Sequence, residues 1–190
     1  MAPTHSLFQQ PWPTGEFRFF QMGFVVDDIV AAATRWTRVF GVGPFQVMPR
    51  RRTECVYRGS AGVLDVQIAV AQAGPVQIEL IHDLGDTPNV ISEIFPKGDA
   101  GFHQVCTVTP DFDATAAHYA SLGYEQSCFI EMPNMRVAFY DTYADFGFYT
   151  EVAEQSPSFL ANLAAVAETC KNWDGTDPVR IVTRDGYTVP

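Results

Sequence analysis

One order of residue patterns occurs twice along this 190-residue chain, and that duplication limits the possible folds more than any other feature. The first copy opens with an apolar strand-like run, FRFFQMGFVV (17–26), that ends at Asp27-Asp28. Asp28 suits a helix N-cap, because its carboxylate can accept from the free amides of a first turn. In IVAAATRWTRVFG (29–41), Ile29, Ala32, Ala33, Trp36 and Phe40 recur at helical spacing, and Gly41 supplies the stop. Beyond the turn GVGPF (41–45) the patterns predict three strands: FQVM with its basic extension, VLDVQIAVAQA (63–73) and VQIELI (76–81). Gly74-Pro75 turns the chain between the last two.

The second copy keeps the order. FHQVCTV (102–108) reads as a strand, Pro110-Asp111 as a turn and helix start, and FDATAAHYASLG (112–123) as a helix closed by Gly123. Strands are predicted over YEQSCFI (124–130), MRVAFYDT (135–142) and FYTEVAE (148–154), with Asp145 to Gly147 turning between the last two. Spacing supports the match. Gln21 stands seven residues before Asp28, and Gln104 seven before Asp111. Glu79 closes the first copy 58 residues after Gln21, and Glu151 closes the second 47 after Gln104, a trim that fits a shorter hairpin.

The chain therefore divides into an irregular N-terminal arm (1–16), a first βαβββ module (17–81), a linker (82–101), a second module (102–155) and a C-terminal helix and tail (156–190). The linker is expected to hold a short helix from about Asn89 to Phe95. In the tail, Ser156 or Ser158 can cap a helix whose apolar stripe runs through Leu160, Leu163 and Val166. The fold class is α+β: two tandem modules forming one cupped mixed sheet, plus a C-terminal helix.

Charge narrows the partners. The net charge is −10, with 12 Lys and Arg against 22 Asp and Glu, which argues against nucleic acid and an anionic membrane surface. Arg50, Arg51 and Arg52 form the one basic cluster, read either as solvated charges between strands or as a clamp for an anionic group. Cys55, Cys106, Cys128 and Cys170 have no CxxC spacing and read as thiols of a reducing compartment. No secretory signal and no membrane-length apolar run is recognised, so a cytoplasmic location is expected. No GxSxG, P-loop or GxGxxG sequence occurs, so neither a serine hydrolase nor a nucleotide cofactor has support.

Strand alternation nominates a site. In the first strand Phe20, Met22, Phe24 and Val26 make the more apolar face and belong under the helix, so Gln21, Gly23 and Val25 face the concavity. The same register turns Gln104 and Cys106 inward and His103 outward, and sets Glu79 beside Gln77 and Glu151 beside Tyr149. If the sheets pair into one cup, Gln21, Glu79, Gln104 and Glu151 converge. Two carboxylates and two amides suit a hard divalent cation or acid–base work on a small substrate. A Glu in an aromatic cup would have its pKa raised. Phe45, Arg52, Tyr57, Phe139, Tyr140 and Tyr149 are the expected substrate-lining residues.

The runs QMGFVVDDIVAAATRW–FGVGPF, VQIELI, GFHQVCTVTPDFD and FYDT–GFYTEV resemble the vicinal oxygen chelate superfamily, in its glyoxalase I-like and methylmalonyl-CoA epimerase-like branch, over roughly residues 17 to 155. The resemblance implies a divalent metal (Mg, Mn, Co, Ni or Zn) in the cup, held by one residue from the first and one from the last strand of each module: Gln21, Glu79, Gln104 and Glu151. It also implies a homodimer. This chain departs from the pattern at Gln104, where the family has His. His103 precedes it, so a local bulge that re-aims His103 would restore a ligand, and the alternative is a weak or absent metal. The leading functional expectation is a lyase or isomerase in which Glu151 or Glu79 removes a proton next to a carbonyl. The alternative is a metal-free protein of the bleomycin-resistance type that sequesters a hydrophobic small molecule.

Overall fold

A computed structural model describes residues 18–190. The N-terminal arm (1–16) and the first residue of the module boundary at 17 lie outside the described residues. In chain order the elements are β1 (Arg18–Val25), α1 (Ile29–Phe40), β2 (Phe45–Val47), β3 (Arg51–Tyr57), β4 (Ser60–Ala73), β5 (Val76–Asp83), β6 (Gly101–Thr109), α2 (Phe112–Ser121), β7 (Gln126–Met132), β8 (Met135–Tyr140), α3 (Tyr143–Phe146), β9 (Tyr149–Glu154), α4 (Pro157–Lys171), β10 (Val179–Thr183) and β11 (Gly186–Thr188).

Local chemistry sets the helix ends where the sequence indicates. Asp28 caps α1 by accepting from the backbone amides of Val30 and Ala31, and Gly41 closes it at φ 67°, where a side chain would be strained. Asp111 caps α2 through Ala114, and Ser156, rather than Ser158, caps α4 through Phe159. Two expectations change. The basic run is only partly a connection between strands: Arg50 lies between β2 and β3, and Arg51 and Arg52 begin β3. Residues 90–94 of the linker are turns rather than a helix, and Phe95 is a bend. There the Asn89 side chain accepts from the amides of Ile91 and Ser92 and donates to Asp83, which holds the segment in a local loop.

The duplication is topological. In the first module β1 pairs parallel with β5, β5 antiparallel with β4, and β4 antiparallel with β3. In the second, β6 pairs parallel with β9, β9 antiparallel with β8, and β8 antiparallel with β7. The modules join where equivalent strands meet, β1 with β6 and β3 with β7, both antiparallel. These pairings curve the sheet back on itself, and β2, β10 and β11 extend it beyond β4. The seam between β1 and β6 is long, while that between β3 and β7 rests on Val56–Phe129 and Tyr57–Cys128.

Each helix covers an outer face. Ile29, Ala32 and Ala33 of α1 pack on Ala69, Ala71, Ile78 and Leu80, and Phe112 and Tyr119 of α2 pack on Ala138, Tyr140 and Val152. The inner face forms a third core from Val25, Leu64, Val66, Ile81, Cys106, Phe139, Tyr149 and Ala153. The 84–100 connection adds Val90 and Ile91, both essentially inaccessible, with Ile94 and Phe95 packed against them. Helix α4 contributes Phe159, whose ring meets Phe20 edge-on at 5.6 Å. The buried side of α4 runs through Phe159, Leu163 and Val166, whereas Leu160, expected in the stripe, is exposed.

Candidate active site

The register of four strands builds the site. Across the β1–β6 seam Gly23 lies opposite Gln104, and Gln21 opposite Cys106. Glu79 sits beside Gly23 on β5, and Glu151 beside Cys106 on β9. The two halves thus repeat each other around the seam, except that one has a glycine where the other has a cysteine. At Gly23 an added Cβ would fall 2.4 Å from Cδ, 2.5 Å from Nε2 and 2.8 Å from Oε1 of Gln104. The Gln104 amide therefore lies flat on bare backbone. Its Nε2 donates to Glu79 Oε2 at 3.2 Å and to Glu151 Oε2 at 3.1 Å. Gln21 faces the Cys106 side chain instead, and its Nε2 donates to Gln77 Oε1 at 2.7 Å. Of the four expected residues, Glu79, Gln104 and Glu151 are in contact, and Gln21 is turned toward Gln77.

Burial dominates the electrostatics. Gln104 is 1% and Glu79 9% exposed, and Glu151 keeps somewhat more access. Loss of water raises the Glu79 carboxyl well above the usual carboxylate range, and the charge of Glu151 raises it further. Burial pushes Glu151 up to about 7, against the opposing effect of donation from Gln104 and Cys106. Cys106 is fully buried, and burial together with the two carboxylates raises its thiol, keeping it protonated. It faces the concavity as expected, but nothing in its sequence spacing marked it as a neighbour of both acids.

His103 departs from strict alternation through the local bulge expected as an alternative, although both its ring nitrogens are already in contact with Val90 and Gln104. Alternation turns it outward, yet the pairing of β6 with β1 passes from Gln104 opposite Gly23 directly to Phe102 opposite Phe24. His103 is the extra residue of a β-bulge, which breaks the alternation and re-aims its side chain. Its ring stacks on Tyr149 at 5.4 Å and is 1% exposed. Nε2 contacts the backbone carbonyl of Val90 at 2.9 Å, and Nδ1 contacts Oε1 of Gln104.

The expected lining residues divide. Tyr57, Phe139 and Tyr149 belong to the inner core, and the Tyr149 hydroxyl accepts from Arg58 at 3.1 Å. Phe45 does not line the cup: it is fully buried on the α1 side, because β2 turns it toward Val179 and the helix. Tyr140 stacks on Tyr119 at 4.3 Å beneath α2, one residue out of register with Phe139. Arg52 is exposed and lies 3.8 Å from Asp65, and Asp65 is already held in two hydrogen bonds by Arg50. Arg50 and Arg52 of the arginine cluster are thus turned to Asp65, and Arg51 approaches the sulfur of Met132.

As arranged, the donor set does not fit a divalent cation. Glu79 and Glu151 offer hard oxygens, but the point where they converge is taken by the Gln104 NH₂ group, which only donates. Gln21 is committed to Gln77, and His103 to Val90 and Gln104. Among the described residues no group of three or more His, Cys, Asp or Glu is placed to hold a metal. What the arrangement can do is acid–base chemistry, with two carboxyls of raised affinity for protons beside an amide and a thiol.

Comparison with known proteins agrees with this architecture. Residues 20–141 match the sequence profile of the Glyoxalase/Bleomycin resistance protein/Dioxygenase superfamily. Methylmalonyl-CoA epimerase from Mycobacterium tuberculosis shares the fold with a TM-score of 0.55 at 16% identity, over 80% of this chain and 98% of that one. The hypothetical protein BH1468 from Bacillus halodurans C-125 does so with a TM-score of 0.52 at 18% identity, over 75% and 96%. A search of curated proteins found no match. No helix among the described residues is long and apolar enough to cross a membrane.

Proposed function

Since the chain belongs to the Glyoxalase/Bleomycin resistance protein/Dioxygenase superfamily, we propose that it is an isomerase or lyase that removes a proton next to a carbonyl of a small organic substrate, with Glu151 as the base. The observation that carries this reading is the buried Glu79–Gln104–Glu151 cluster. A base works best when its pKa lies near the working pH, and Glu151 sits at about 7. It is also the more accessible of the two acids.

Glu79 takes the complementary role. Deeper burial beside a second carboxylate keeps it protonated, so it can donate to the oxygen on which negative charge develops. The protonated Cys106 thiol adds a weak donor. Tyr57, Phe139 and Tyr149 supply an aromatic wall that excludes water and strengthens these contacts. The fold shared with a methylmalonyl-CoA epimerase is compatible with the isomerase form of the reaction, in which the proton is returned to the same carbon.

The apolar character of the inner face, with Leu64, Val66, Ile81 and Phe139 on it, favours a second reading, in which the cup holds a hydrophobic molecule without turning it over. Incubation in deuterated water with a panel of α-carbonyl compounds and acyl thioesters, methylmalonyl-CoA among them, separates the two. Deuterium entering one substrate with the wild type and not with Glu151→Gln supports the enzyme. Tight binding of an apolar ligand, equal in both proteins and without exchange anywhere in the panel, supports sequestration and sinks the enzyme reading.

A further inference from the structure

We infer that an aromatic stripe across the outer side of the β1–β6 seam is a self-complementary docking surface. On it a second copy of this chain seats its Phe146 and Asp145 in a recess beside α1. The stripe runs through Phe40 and Trp36 of α1, Phe24 of β1, Phe102 of β6, and then Phe148 and Phe146. Successive ring centroids lie 5.0, 5.1, 5.2, 5.3 and 5.9 Å apart. Both ends stand out of the surface, with Phe40 66% and Phe146 59% exposed. Helix α1 packs on β4 and β5, and α2 on β8 and β9, so the seam between them is left to these rings. Contiguous aromatic surface of this kind is unfavourable in water and is enriched where proteins meet.

The layout of the stripe selects its occupant. Phe24 and Phe102 are paired across the seam, at the middle of the stripe. From Phe24 two steps of 5.1 and 5.0 Å lead to Phe40, and from Phe102 two of 5.3 and 5.9 Å lead to Phe146. A two-fold axis through the seam therefore lays Phe146 of one copy against Trp36 and Phe40 of the other, and the reverse. A recess of about 300 Å³ lies there, lined by Val26, Ala32, Trp36, Val39 and Phe40.

Charge follows the same two-fold order. Arg35 lines the recess and Arg38 is exposed on the next turn, against one acid, Asp27. Among the described residues neither arginine has an ion pair. At the other end Asp145 stands beside Phe146, exposed, and accepts from the Tyr124 hydroxyl at 2.8 Å through Oδ2. The axis that seats Phe146 brings Asp145 to Arg35 in both halves at once. Each copy carries a net charge of −10, so general repulsion opposes other encounters while this local pairing fixes the register. An unrelated partner has no reason to match both the ring spacing and the charge order; a second copy matches them by symmetry.

The test is sedimentation equilibrium of the full-length chain from micromolar to near-millimolar concentration. The expected result is a monomer–dimer equilibrium that Phe146→Ser weakens roughly 100-fold, since the symmetry removes the anchor twice. Asp145→Arg and Arg35→Asp should each weaken it roughly 10-fold, and the chain carrying both should recover the loss. A monomer at every concentration overturns the inference and leaves the stripe to a partner of another kind. So does a dimer that Phe146→Ser leaves unchanged, or a double variant that recovers nothing. Hydrogen exchange of the unaltered chain gives a second readout that needs no variant. Amides at the end of α1 and over 143–147 should slow as concentration rises; slowing confined to α4 would place the contact elsewhere and overturn the inference.

Discussion

Among single residues, Glu151 bears most of the chemistry, and its environment makes its role measurable. Glu151→Gln removes the base while keeping the contact shape, so proton exchange should fall by roughly 10²- to 10⁴-fold, as for loss of a positioned general base. In the wild type the rate should rise with pH through about 7, following ionisation of Glu151. The same shift has a consequence for stability. A carboxyl whose folded value lies above its unfolded value, about 4.3, binds more protons when folded. Its contribution is intact below the unfolded value and is lost as pH rises from there to about 7. Urea denaturation at pH 4.5 and pH 8 should therefore show a smaller difference in Glu151→Gln than in the wild type. An equal difference in both proteins would place the ionisation elsewhere.

Elements matter here through one glycine and one cap. Gly23 is not needed for its backbone angles; it leaves room on β1 for the Gln104 amide. Gly23→Ala puts a methyl where the amide lies, and overpacking of this kind costs about 1–3 kcal/mol. Urea unfolding should report that loss, and exchange activity per folded molecule should drop with it, because the amide can no longer lie between the two acids. The α1 cap offers a control of a different character. Asp28→Ala removes the acceptor for two first-turn amides and should cost about 1 kcal/mol, with the rate per folded molecule unchanged.

For the molecule as a whole, the question is how a sheet curved around two seams is kept shut at the thinner one. Arg58 sits at the β3–β4 turn and reaches across it. Its NH2 donates to Glu93 and Asp141, each at 2.6 Å, and its NH1 lies 2.7 Å from Glu125. One side chain thus ties the first module to the second and to the 84–100 connection. Arg58→Met leaves three carboxylates close together without their cation and should cost roughly 1–3 kcal/mol, less than a fully buried pair because the site is partly exposed. Hydrogen exchange should locate the effect: amides of 89–95 should exchange faster than in the wild type, while those of β1 and β5 stay protected. Uniform loosening of the whole sheet would show that Arg58 acts on global stability instead.

Much of this protein is legible in its sequence. The spacing of Asp28, Gly41, Asp111 and Gly123 marks the helices, and period-two alternation sorts Glu79 and Glu151 from the residues beneath α1 and α2, because both are local properties of backbone geometry. The duplication then implies that the equivalent strands carry equivalent residues, which nominated Gln21, Glu79, Gln104 and Glu151. Local patterns are silent on the pairing of β1 with β6 and on where that pairing slips. The slip at His103 reversed one side chain, and the Gly23–Gln104 contact, made across 81 residues of chain, drew one glutamine onto the acids while Gln21 turned to Gln77. The same limit explains Phe45, whose face depends on its pairing with Val179; Tyr140 is a different case, since alternation already separates it from its neighbour Phe139. The sequence alone determined the repeated modules and the residue types facing the cup; the tertiary structure decided which of them touch, because inter-strand register is set by distant packing rather than by neighbours in the chain.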